Sequence, residues 1–220
     1  AGVEKDDLIA LGFSAAMHSL ICVHEDGRPL SPAIIWADGR STGQAEAIKK
    51  TIGSHVYAKT GTPIHPMTPF LKLLWMKETK YQPYFEATFF MSIKEYLIQC
   101  WFNERVIDYS MASATGLFNP QTLDWEQELL EMTGIGREQL SEIVPPTKVL
   151  SGLKKEIADE MGINQEMPFV MGCVYTDNRQ SEAAHEGNNV KIIGTRTGRR
   201  LELDDDQGVV ALRDNVRGSY

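Results

Sequence analysis

Residues 9–41, IALGFSAAMHSLICVHEDGRPLSPAIIWADGRS, decide how the rest of the 220-residue chain is read. Two short apolar runs, 8–13 (LIALGF) and 19–24 (SLICVH), are expected as adjacent strands of one sheet. The second ends in the turn residues Glu25-Asp26-Gly27 ahead of Pro29. Met17 and His18 then sit in the loop between the two strands. Ala33–Trp36 is a third apolar run, and Asp38-Gly39-Arg40-Ser41 opens a polar helical stretch through about Lys50.

Further along, Pro69 stands at a favourable first helical position before FLKLLWMK. Ile93, Tyr96, Leu97 and Cys100 recur at helical spacing, so two packed helices are expected. Phe89–Met91 and Arg105–Ile107 read as short strands. Asp124 with Gln127 three residues later resembles a capping box before Leu129 and Leu130. The stretch Ser141–Gln165 is polar and helical with a break at Pro145-Pro146, and Phe169–Cys173 after Pro168 reads as a buried strand. Strands alternating with helices make this an α/β chain. After Asp177 the composition shifts to Asn, Gln, Arg and Gly with an acidic run Asp204-Asp205-Asp206, and no regular fold is assigned there.

The composition narrows the function. A hydrophobic content of 42% is enough to bury a core, and a net charge of −8 argues against a nucleic-acid partner, whose phosphates call for a basic surface. There is no apolar run of the roughly 18 residues that a membrane helix needs, and the start AGVEKDDL is charged, so a cytoplasmic protein with no membrane partner is expected. Cys22, Cys100 and Cys173 are odd in number and far apart, which suits buried free thiols better than disulfides or a metal site. His55 and His65 lack partners at zinc-ligand spacing. Gly194-Thr195-Arg196-Thr197-Gly198 lacks the lysine and glycine spacing of a P-loop.

The candidate chemistry lies at the ends of apolar runs: Met17-His18, Trp36 with Asp38 and Arg40, Asp108-Tyr109, and Asp177. Ligands of open α/β sheets gather outside the carboxyl ends of strands, which favours such positions. Each also has a purely structural reading. His18 can be a satisfied core histidine or a turn residue. Asp38 can cap the helix after it, with Arg40 a solvated neighbour. Tyr109 can be a core tyrosine with its hydroxyl bonded, and Asp177 a loop carboxylate.

Taken in order, these segments resemble the FGGY carbohydrate kinases, the family of xylulose, glycerol, ribulose and gluconate kinases, and above all its gluconate and xylulose kinase members. Residues 9–41 look like the family's second strand pair, with its Met-His dipeptide and W-x-D-x-R element in sequence. TPIHPMTPFLKLLWMK (62–77), FFMSIKEYL (89–97) and VIDYSMASATGLFNPQTLDW (106–125) continue the succession, and the likeness covers about residues 8–173. Four linked segments in one order are far more specific than any one motif.

The resemblance implies an actin-like ATPase (ribonuclease H-like) fold of two α/β domains with the active site in the cleft between them. This chain is then most of the first domain, incomplete, a mixed sheet with flanking helices. Residues 1–177 are a partial N-terminal, sugar-binding domain and 178–220 a divergent tail of uncertain fold. Met17 and His18 match the dipeptide that faces substrate hydroxyls, and Tyr109 matches a tyrosine lining the sugar pocket. Trp36, Asp38 and Arg40 match an element shaping that side of it. Asp177, after the strand Phe169–Gly172, is the nearest equivalent of the catalytic base, although Cys173-Val174-Tyr175-Thr176 adds residues before it.

The implied reaction is ATP-dependent phosphorylation of a sugar or sugar acid with Mg²⁺, gluconate first and xylulose second. The implied partner is that small molecule, with a homodimer left open. The family's Asp-x-Gly-Thr hairpin that handles ATP phosphates is expected upstream of Ala1, so this chain alone is expected not to turn over ATP. The alternative is a non-catalytic sugar-binding remnant of such a kinase. A glycoside hydrolase needs two carboxylates flanking one cleft, and no pair has persuasive spacing.

Overall fold

The computed structural model describes Leu8, residues 10–171 and the backbone of two later strands. In chain order the elements begin with β1 (Leu11–Gly12), β2 (Ile21–Val23), α1 (Thr42–Thr51), α2 (Gly53–Thr60), α3 (Pro69–Glu78), α4 (Gln82–Glu86), β3 (Phe89–Met91) and α5 (Ile93–Phe102). They continue with β4 (Val106–Asp108), α6 (Tyr109–Ala114), β5 (Phe118–Asn119), β6 (Asp124–Trp125), α7 (Gln127–Thr133), β7 (Glu142–Val144) and β8 (Val149–Leu150). The last are α8 (Lys155–Met161), β9 (Phe169–Val170), β10 (Ile192–Thr195) and β11 (Gly198–Leu201). The chain divides into two compact units, Ala15–Val144 and Ala1–Ser14 with Pro145–Tyr220.

In the first of these units the core forms around α3. Its sequence is apolar nearly all the way round, so it has no solvent face to keep, and Phe70, Leu71, Leu73 and Met76 are fully buried. It packs chiefly on α7, α1 and α4. β2 and β3 pair antiparallel with Cys22 opposite Phe90. Side chains alternate across a strand, so Cys22 joins the main core while Ile21 and Val23 meet Met91, Phe89, Ile93 and Tyr96 on the other face. Burial on both faces is why SLICVH reads as a continuous apolar run. Burial also pushes the Cys22 thiol up to about 11, which leaves it inert at neutral pH.

β4 and β7 pair in parallel, Asp108 opposite Val144, and β5 and β6 pair antiparallel with Phe118 opposite Trp125. α5 opens on a capping box: the Ser92 hydroxyl accepts the Glu95 amide and the Glu95 carboxylate accepts the Ser92 amide at 2.7 Å. In the second unit β1 runs parallel to β9 and β9 antiparallel to β8, with Phe13 and Phe169 in ring contact at 5.7 Å. β10 and β11 pair antiparallel, Thr195 opposite Gly198, inside the stretch to which the sequence assigned no fold.

Four sequence expectations are corrected. LIALGF and SLICVH are not neighbours, because β1 pairs with β9 and β2 with β3; an apolar run identifies a strand without naming its partner. α3 and α5 have separate packing partners, with α5 lying against β3 and β4. Asp124 does not cap α7: it lies in β6 and pairs with Arg137, and Glu126 occupies the cap position. Within Ser141–Gln165 the helix is confined to α8, because β7 and β8 occupy the residues on either side of the two prolines.

Candidate functional site

Every candidate except Asp177 falls in the Ala15–Val144 unit; Asp177, like Cys173, lies outside the described residues. β4 delivers Asp108 and Tyr109 at its carboxyl end. The Asp108 carboxylate does two jobs there. One oxygen accepts the amides of Ser110 and Met111 at 3.0 and 3.1 Å, capping α6, and the other accepts the Lys94 ammonium at 2.6 Å with both side chains buried. The start of α6, and with it Tyr109, is thereby fixed. Tyr109 is half-buried with its ring stacked on Phe118 at 6.0 Å, so its ring belongs to the edge of the core.

The far end of the same helix holds His18. The His18 ring bonds the Ala114 carbonyl through Nδ1 at 2.8 Å, and its backbone sits at φ 63°. That left-handed conformation is uncommon for a residue with a side chain and persists where the surroundings impose it. A carbonyl only accepts, so Nδ1 carries the hydrogen and Nε2 of the neutral ring keeps its lone pair. Burial holds the imidazole below its usual range, against the Ala114 bond and helped by the Lys72 and His65 charges. Near pH 7 His18 is therefore a neutral ring with one free acceptor.

Asp38 and Arg40 form a local clamp. The Asp38 carboxylate accepts the Arg40 amide at 3.0 Å and the guanidinium at 2.9 and 2.8 Å. The guanidinium lies 4.5 Å from the centre of the Trp75 ring. The bond from Arg40 is the main reason that the Asp38 carboxyl sits below the usual carboxylate range. The capping reading of Asp38 is thus corrected: Ser41 precedes α1, and the carboxylate is committed to Arg40. Trp36 is 59% exposed and Met17 39%. Instead of a strand, Ala33–Trp36 contributes one bridge, Leu20 to Ile34, and then leaves the sheet.

A residue that sequence reasoning passed over joins these pieces. Lys72 lies on α3, is 1% exposed, and donates to the carbonyls of Ile34 at 3.1 Å, Ile35 at 3.0 Å and His18. Burial pulls its pKa down to about 8; Asp38 opposes the shift and Arg40 adds to it. The available signal was Lys72 inside the apolar stretch FLKLLWM, where a charge has to find partners or leave. Through Lys72 and Ala114, the structure brings together the Met17-His18 turn, the 34–40 segment and α6. Among the described residues no group of three or more His, Cys, Asp or Glu side chains is placed to hold a metal ion.

Residues 1–181 match the FGGY family of carbohydrate kinases, N-terminal domain. Gluconokinase of Bacillus subtilis (strain 168) is 43% identical over 200 residues, which are 90% of this chain and 39% of that protein. The crystal structure of gluconate kinase from Lactobacillus acidophilus matches with a TM-score of 0.72 at 38% identity, over 75% of this chain and 34% of that one. The ligand-bound xylulose kinase from the same organism gives the same figures. This chain therefore spans about two fifths of the length of the curated relative. The fold class is the actin-like, ribonuclease H-like α/β class.

Proposed function

Because the chain belongs to the FGGY family of carbohydrate kinases, whose members are phosphotransferases, we propose that it supplies the sugar-facing side of an ATP-dependent kinase acting on a hydroxyl of a sugar or sugar acid, gluconate first and xylulose second. The observation that carries the reading is His18, neutral and locked by its Nδ1–H on Ala114. A polyhydroxylated substrate leaving water needs a partner for each hydroxyl, and Nε2 is an acceptor already oriented for one. The Tyr109 hydroxyl, at the carboxyl end of β4, can both donate and accept. Met17 and Trp36 offer exposed apolar surface for the carbon skeleton, and the Asp38–Arg40 clamp fixes the chain beyond Trp36. Asp177 is assigned the general base that takes the proton of the attacking hydroxyl.

ATP supplies the transferred phosphoryl group in this family, and Mg²⁺ is expected beside it from the general chemistry of phosphoryl transfer. Among the described residues no group of three or more His, Cys, Asp or Glu side chains is placed to hold the metal, and no step is assigned to it. The test replaces the matching segment of the Bacillus subtilis gluconokinase by this chain and measures ATP-dependent phosphorylation of gluconate, xylulose and glycerol. Turnover highest with gluconate is expected. Preference for another acceptor overturns the substrate, and a folded chimera active on none of the three overturns the kinase reading.

A further inference from the structure

We propose that Lys72 is a positioning residue whose ammonium locks the Met17-His18 turn to the 34–40 segment, so that the sugar-facing surface is assembled only while that amine carries its third proton. The proposal deepens the sugar-kinase reading and rests on it for the identity of the ligand. Three carbonyls converge on Lys72 Nζ: His18, which carries the ring acceptor, and Ile34 and Ile35, which lead into Trp36 and Asp38. An ammonium has three N–H donors and satisfies all three. A neutral amine has two and a lone pair, and turning that lone pair toward a carbonyl oxygen leaves one buried acceptor without a donor.

Lys72 is 1% exposed, so water does not readily reach the amine to replace the missing bond. The two segments approach each other here without regular strand pairing beyond the Leu20–Ile34 bridge, so the ammonium is their main polar link. The charged and titratable groups that act on the amine are Asp38 and Arg40, already paired with each other, while His18 is neutral above pH 7 and His65 bears on His18. Neither Asp38 nor Arg40 changes charge between about pH 7 and 9.5, and a lysine titrating near 8 does.

The experiment records amide chemical shifts of the 220-residue chain against pH, with and without gluconate, for wild type, Lys72→Met and Lys72→Arg. In wild type, amides of 17–19 and 34–38 are expected to move together with one midpoint near pH 8. Gluconate affinity is expected to fall at least about tenfold by pH 9.5, where a group of that pKa keeps about a thirtieth of its protons. Lys72→Met removes the common transition and binds weakly at every pH, and Lys72→Arg, charged throughout, shows no transition. A common transition in a chain that binds no sugar supports the lock and rejects the sugar. Independent titration of the two segments, no transition in wild type, or an unchanged transition in either variant overturns the proposal, and the wild-type titration decides even where a variant does not fold.

Discussion

Replacing Asp108 by alanine is expected to lower stability by about 3–5 kcal/mol, because it leaves the Lys94 ammonium buried without its carboxylate. The same change removes both cap bonds at the start of α6, worth about 1 kcal/mol in typical helices. The loss should show as a lowered urea midpoint with an unchanged slope. Pairing Asp108→Ala with Lys94→Met is expected to recover a good part of the loss, because a neutral pair strands no charge. A double variant no more stable than Asp108→Ala would show that the helix cap, and not the buried charge, dominates. Tyr109 is carried by that helix start, so sugar affinity should fall with the cap even where the protein still folds.

The second large effect concerns turnover. In the chimeric kinase, Asp177→Asn is expected to reduce kcat by about 10²–10⁴-fold, the usual contribution of a positioned general base, with KM for gluconate little changed. The KM–kcat split separates this from damage to the pocket, which would raise KM. A variant that keeps wild-type kcat removes Asp177 from the role and moves the search for the base to the neighbouring carboxylates of the same stretch, Glu182 among them.

Local structure was legible where one short segment settles it. Pro69 at the first turn and seven mostly apolar residues after it specify α3, and FFM specifies β3, because periodicity and cap chemistry are contained within those residues. Pairing was not legible. LIALGF meets Phe169 about 160 residues on, and nothing within either run encodes that choice. Asp124 followed by Gln127 has the spacing of a cap, yet Arg137 claims the carboxylate through a tertiary contact that local reading does not see. The site divides the same way. Its candidate residues were named from the order of the segments they sit in, while Lys72, whose bonds go to carbonyls 37 to 54 positions away, was read as one more helix residue.

The most direct test of the central claim is thermal melting of the 220-residue chain with gluconate, xylulose and glycerol, in wild type and in His18→Asn, where asparagine tolerates the left-handed backbone but lacks the imidazole acceptor. Ligand at about 100 times Kd stabilises a native state by about 2.7 kcal/mol, or roughly 5–10 °C for a chain of this size. Wild type should rise by that amount with gluconate, less with xylulose and least with glycerol, and His18→Asn should lose most of the gluconate shift. No shift with any of the three, or a gluconate shift that survives in His18→Asn, would contradict the account.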